Sequence, residues 1–234
     1  MPLNFHHLKG LLPPPEGGLL GLERLRRSAV MAILFEAPDG LSVLLTRRAA
    51  GIPQGGEFCL PGGSMDLAKD SGPEECAKRE AREEVGAQPD SLLLLGRLGT
   101  LVAPMGAVVD CVVAWRPQGL KGLKAAPEEV AEMVALPLIS FLETPKEYEI
   151  QMEVRADCVE SDGRTRWLLP VRELGLPDRY LVPWGRRRQR VLVFPTEHGP
   201  IWGLTAELLH ALAHRLAPAL RPKGPFLRGE SDPE

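Results

Sequence analysis

Three carboxylates, Glu80, Glu83 and Glu84, crowd into the run Arg79-Glu80-Ala81-Arg82-Glu83-Glu84-Val85-Gly86-Ala87. At offsets of three and four residues they share one helical face, a turn apart. Like charges so spaced repel by roughly 0.2–0.5 kcal/mol per pair, so helix stability does not explain their assembly. Hard divalent cations such as Mg2+ take oxygen ligands, usually one or two carboxylates together with substrate phosphates. Upstream, Leu60-Pro61-Gly62-Gly63 supplies two glycines whose backbone can turn tightly against a ligand. The combined chemistry is a metal-dependent site for a phosphorylated substrate.

Those acids need a helix over residues 73–86 to present them. Ser71 or Asp70 is the expected N-terminal cap, and Pro73 suits the first turn, where its missing N–H costs nothing. Cys76, Ala77, Ala81 and Val85 give the helix an apolar face opposite the acids. Gly86 is expected to end it in a left-handed conformation. Arg79 stands four residues from both Glu75 and Glu83, so it can orient one acid and partly neutralise the cluster.

Around that helix the pattern reads as strands. Residues 28–36 and 41–46 are apolar and β-leaning, joined by the turn Ala37-Pro38-Asp39-Gly40. A glycine-rich loop fills 47–72. Residues 92–102 and 107–114 read as buried strands, 128–135 as a further strand and 137–143 as a short helix. The last helix is expected over 202–216. This order predicts an α/β fold, an α/β/α sandwich around a mixed sheet. The domain is expected over 28–217, with an arm at 1–27, an insertion at 144–190 before the C-terminal helix, and a tail at 218–234.

Bulk properties exclude several classes. Of 234 residues, 44% are hydrophobic and 25% charged, which suits an ordinary globular core. A net charge of -3 argues against bulk binding to nucleic acid or anionic membranes. With no long apolar run and no signal-peptide pattern, the expectation is a cytoplasmic protein. Cys59, Cys76, Cys111 and Cys158 contain no C-x-x-C pair, so reduced, packed thiols are expected rather than zinc. His6, His7, His198, His210 and His214 accompany no acidic motif, and structural roles are expected for them.

The carboxylate segment resembles the Nudix box, G-x5-E-x7-R-E-U-x-E-E-x-G-U, where U is a bulky aliphatic residue. Arg79, Glu80, Glu83, Glu84 and Gly86 match its second half, with Ala81 and Ala87 small at the U positions. The first half departs, with Ser71 where a glutamate is expected and six residues between Gly63 and Asp70. A lengthened loop with Asp66 and Asp70 resembles the coenzyme A diphosphatase branch. So do Leu44, Leu45, Thr46, Arg48, Ala49, Gly56 and Pro61 upstream, and Ile201-Trp202-Gly203-Leu204-Thr205-Ala206 near the end. That branch's recognition arginine is absent from Gly51-Ile52-Pro53, and Leu60 replaces its phenylalanine.

The resemblance implies a hydrolase of nucleoside diphosphates linked to another moiety, using Mg2+ or Mn2+. Glu80, Glu83 and Glu84, with a carbonyl of Gly62 or Gly63, would hold the metal beside Arg79. Arg47, Arg48, Gly62 and Gly63 would meet substrate. Glu128, Glu129 or Glu132 would add a ligand or a base. Arg186, Arg187, Arg188 and Arg190 offer contacts to a further phosphate, as the 3′-phosphate of coenzyme A requires. Coenzyme A or acyl-CoA is the first substrate expected; ADP-ribose, NADH or a sugar nucleotide is the alternative. A non-catalytic ligand-sensing or interaction domain is the reading from another class. The expected partner is a small nucleotide diphosphate, with no nucleic acid and no membrane, and homodimerisation is left open.

Overall fold

The computed structural model of the chain describes residues 25–104 and 106–220. Most of the expected arm, with His6 and His7, and the tail from residue 221 lie outside the described residues. Seven strands form one mixed sheet: β1 (Arg26–Ala37), β2 (Gly40–Arg48), β3 (Phe58–Cys59), β4 (Gly62–Ser64), β5 (Leu93–Val102), β6 (Ala107–Trp115) and β7 (Val130–Pro137). Their order is β3-β2-β1-β6-β5, with β4 added on β1 and β7 on β2. β1 runs antiparallel to β2 through the expected turn and parallel to β6. A parallel neighbour demands a crossover, and helix α1 (Pro73–Val85) lies within it.

Side-chain alternation along β1 builds a core on each face of the sheet. Ala29, Met31, Ile33 and Phe35 pack with Cys76, Ala77, Ala81 and Val85 of α1. Ala32 and Leu34 turn the other way, with Val43 and Leu45, onto the short 3-10 helix Leu138–Leu142 and helix α2 (Gly203–Leu220). Each large aliphatic side chain fully withdrawn from water contributes about 1.5–3 kcal/mol, so these two layers hold the sheet between its helices. The α/β/α sandwich expected from element order is the fold observed.

Several local expectations need correction. Neither Ser71 nor Asp70 caps α1: Gly72 is the N-cap residue and no side chain bonds the helix end. Asp70 is instead buried against Arg79, because a carboxylate taken out of water needs a charged partner more than the helix needs a cap. β5 is not a buried strand. It is the sheet edge, broken by register shifts at Leu94/Gly96 and Arg97/Gly99, and Leu93, Leu95 and Val102 stay exposed. β7 begins at Val130, so Glu128 and Glu129 sit in the turn before it. Trp202 ends a strand rather than opening α2.

Residues 144–190 hold β8 (Lys146–Val154), the small hairpin β9 (Asp157–Val159) with β10 (Thr165–Trp167), and the first half of β11 (Trp184–Thr196). With β12 (Gly199–Trp202), β8 and β11 form a second antiparallel sheet, ordered β12-β11-β8, and the β9–β10 hairpin is a separate two-stranded sheet. Its inner end, through Leu192 and Phe194, joins the core beneath α2. Its outer end is a two-stranded ribbon. Among the described residues no helix is long and apolar enough to cross a membrane.

Candidate active site

Two glycines let β4 thread between β1 and α1. A Cβ on Gly62 would lie 2.4 Å from the Ala29 carbonyl, and one on Gly63 would lie 2.5 Å from the Glu80 carboxylate. Backbone atoms exclude any side chain at Gly62, and one at Gly63 would have to displace the Glu80 carboxylate. The close approach brings the Gly62 N–H to Glu84 Oε2 at 3.2 Å, while the Gly63 carbonyl accepts the Cys76 thiol at 3.7 Å. The Pro-Gly-Gly turn and the acidic helix are therefore one structural unit.

Arg79 binds that unit together. Its Nε and Nη2 donate to the two oxygens of Asp70 at 2.9 Å each, a bidentate fork. Its Nη1 donates to Glu80 at 2.8 Å and to Glu83 at 2.9 Å, and Nη2 also reaches the Ser64 carbonyl at 3.2 Å. The Asp70 side chain is only 1% exposed. The Arg79 hydrogen bonds hold its carboxyl down at about 2, against the opposing effect of burial. Arg79 itself is held firmly protonated, chiefly by Asp70.

The three helix acids have separate environments. Glu83 is exposed, Glu80 half-buried and Glu84 buried at 4% exposure. Burial pushes the Glu84 carboxyl up to about 7; the Gly62 N–H opposes this, and the charges of Glu80 and Glu129 add to it. Burial also raises Glu80, against the Arg79 hydrogen bond and with help from Glu83 and Glu129. Glu84 thus lies among like charges with a single backbone donor. That is the electrostatic signature of a place suited to a cation. Among the described residues no three acidic, histidine or cysteine side chains converge as a ready-made metal cage. Mg2+ needs none, since one or two carboxylates with waters and substrate phosphates suffice.

The remaining residues singled out in the sequence divide sharply. Arg48 lines the cavity beside the glycine turn and lowers the Glu84 pKa by its charge. Arg47 is occupied elsewhere. It pairs with Glu132 at 2.9 Å, donates to the His198 carbonyl at 2.9 Å and lies over the Phe58 ring at 4.3 Å. Of the three downstream glutamates, Glu132 is thereby engaged, Glu128 is exposed, and Glu129 acts electrostatically on Glu80 and Glu84. Glu129 is positioned from α1 itself: Ala126 N–H donates to the Glu84 carbonyl at 2.9 Å, and Glu129 N–H to Ala126 at 3.0 Å. Arg186, Arg188 and Arg190 pair across the ribbon with Glu153, Glu149 and Glu147. His210 bonds the Phe141 carbonyl at 2.8 Å, a packing role.

A cavity of about 370 Å3 opens onto Gly62 and Gly63. Its walls draw on Arg48 and Phe58, on Trp202 and Leu204, and on Ile150 and Met152 of the ribbon. The ribbon pair and Gln189 escaped sequence reasoning. Alternation over 149–154 marks a half-exposed strand, but nothing local says what its apolar side will face.

A NUDIX domain family model matches residues 25–158. The chain is 29% identical over 206 residues to a protein of Photorhabdus laumondii named as the uncharacterised Nudix hydrolase NudL, covering 88% of this chain and 91% of that protein. A NudL of Pectobacterium atrosepticum is 28% identical over 214 residues, covering 88% and 89% respectively. Among solved structures, the Nudix hydrolase RenU of M. smegmatis aligns with 47% of this chain and 70% of its own at 25% identity, with a TM-score of 0.40.

Proposed function

The chain belongs to the Nudix hydrolase family, and on that premise we propose a divalent-metal-dependent diphosphatase whose substrate is coenzyme A or an acyl thioester of it. The observation that carries the metal-site assignment is the contact of the glycine turn with the acidic helix: Gly63 lies against Glu80 and the Gly62 N–H on Glu84. Glu80, Glu83 and Glu84 would hold the cation, with the Gly63 carbonyl beside them. A Mg2+ or Mn2+ held there would supply charge to neutralise the diphosphate oxygens and to lower the pKa of an attacking water. Arg48 donates to a diphosphate oxygen from the cavity wall. Arg79 fixes Glu80 and Glu83 through the Asp70 anchor. The Glu129 carboxylate, exposed and in the field of Glu80 and Glu84, accepts the proton of the water attacking phosphorus.

Support for coenzyme A comes from one coincidence of sequence and space. Arg48, the pair Gly62 and Gly63, and Trp202-Gly203-Leu204-Thr205 belong to separate stretches that resemble the coenzyme A branch, and all of them line the same cavity. The arginine missing from Gly51-Ile52-Pro53 favours a second reading, in which ADP-ribose, NADH or a sugar nucleotide is cleaved. A hydrolysis panel of these compounds with Mg2+, Mn2+ or chelator discriminates them. The expected result is metal-dependent release of 4′-phosphopantetheine and adenosine 3′,5′-bisphosphate. Indifference to coenzyme A with turnover of ADP-ribose would replace the first substrate by the second. Glu83→Gln and Glu84→Gln should each lower kcat/KM roughly a thousandfold, through lost cation charge. Near-normal rates in both would overturn the metal-site assignment.

A further inference from the structure

The cavity beside the glycine turn has two polar walls of unlike chemistry. One carries Gly62, Gly63 and Arg48 next to the acidic helix, and suits a diphosphate. The other comes from β11, the end of β12 and the start of α2, and holds Gln189, Arg190, Trp202 and Glu207. Arg190 brings that second wall no free cation. It pairs with Glu147 at 3.1 Å and its charge also acts on Glu207, so two carboxylates compete for one guanidinium. A phosphate placed there would meet more negative charge than positive. Glu207 is half-buried, and among the described residues no hydrogen-bond donor meets its carboxylate. Burial pushes that carboxyl up, against the Arg190 charge. The two aromatic side chains of the cavity also differ. Phe58 is 6% exposed and has the Arg47 guanidinium over its ring at 4.3 Å, whereas Trp202 stays 42% exposed.

From this arrangement we propose that Trp202 stacks the adenine of the substrate and that Glu207 accepts a hydrogen bond from its exocyclic amine. The second wall then reads the base while the glycine turn holds the diphosphate. The inference deepens the diphosphatase reading and rests on it, since coenzyme A, ADP-ribose and NADH all carry that base. An open indole face is a stacking platform for any base and by itself selects none. Selection comes from Glu207. A base that fills the cavity displaces the water around this carboxylate, which must then receive a donor from the ligand or be left unpaired. The exocyclic amine is such a donor, and a purine lacking it leaves the acid unsatisfied.

Calorimetric titration of the full chain with Mg2+ present compares AMP with purine riboside 5′-monophosphate, which has hydrogen in place of the amine. Neither contains a diphosphate to cleave, so binding is read without turnover. AMP should bind at least about tenfold more tightly, as a hydrogen bond to a charged acceptor requires. Glu207→Leu should bring the two dissociation constants to within about twofold of each other. Glu207→Gln keeps an acceptor oxygen and should retain a preference of about threefold or more, which separates the lost acceptor from a damaged wall. Trp202→Leu should weaken both nucleotides on the order of tenfold without changing their ratio, and Trp202→Phe should recover most of that loss. Equal affinities in the unaltered protein overturn the proposal, as do an unchanged ratio in Glu207→Leu, unchanged affinities in Trp202→Leu and failure of both nucleotides to bind. Hydrolysis of coenzyme A, ADP-ribose and NADH is read in parallel on the same protein. A preference for AMP without turnover of any of them sinks the diphosphatase reading and leaves the base site standing; turnover with equal binding of the two nucleotides sinks the base site alone.

Discussion

Arg79 and Arg188 both face glutamates across short distances, yet their surroundings are opposite. Arg79 is 17% exposed and grips a carboxylate that is 1% exposed. Arg188 is 76% exposed and meets Glu149, itself 61% exposed, at 3.3 Å. The same chemical groups therefore serve two purposes. Beside α1, burial removes water as a competitor, so the ions must find one another and the helix, loop and β4 become locked together. On the ribbon, water screens each pair, and the ladder of charges mainly keeps one face wet while leaving the other apolar. Burial, not the count of ion pairs, ranks the two regions.

Removing the buried partner tests that ranking most severely. Arg79→Met leaves Asp70 charged without its fork and should cost about 3–5 kcal/mol in urea unfolding at neutral pH. A cost under 1 kcal/mol would put Arg79 in the same class as Arg188. The next effect is a pH dependence of the metal-free protein. In the folded chain Glu84 keeps its proton to about 7, while its ordinary value is 4.5. Between those values the unfolded chain has ionised and the folded one has not. Stability must therefore fall as pH rises through this window, by roughly 3 kcal/mol at most. Glu84→Gln should flatten the slope when stability is followed from pH 4.5 to 7. Added Mg2+ should offset the loss at pH 7; a slope unaffected by the substitution would assign the titration elsewhere.

Smaller changes sharpen the contrast further. Gly63→Ala pushes the Glu80 carboxylate aside, and kcat should fall on the order of a hundredfold with melting temperature little altered. Loss of fold with the activity would show that the turn, not the carboxylate, yields. Arg188→Ala, at the far end of the scale, should change unfolding free energy by less than about 1 kcal/mol. A larger loss would mean that the ribbon's charge ladder is cooperative.

Short-range features were legible wherever neighbours along the chain supply the physics. The apolar face of α1 is completely buried through Cys76, Ala77, Ala81 and Val85, and Gly86 ends the helix at φ 69° as its position predicts. β5 shows the limit. Its leucines read as buried because their composition is apolar, but burial depends on a second layer above the strand, and at this edge only Leu98 and Leu101 reach one. Asp70 shows another limit: its place before a proline looks like a cap, while its actual partner is nine residues away around a turn.

By itself the sequence determined the acidic helix, the glycine turn before it and the family chemistry they imply, because residues three or four apart on a helix must share a face. Only the tertiary structure decided that Glu84 is buried and Glu83 exposed, and that Arg48 faces the cavity while Arg47 serves Glu132 and His198. It also placed Glu129, of three neighbouring glutamates, within electrostatic reach of Glu80 and Glu84, and brought Ile150 and Met152 beside Gly62 and Gly63. Those choices depend on which strands pair and what covers them. Contacts between distant segments are set by the packing of the whole sheet, and no local spacing contains that information.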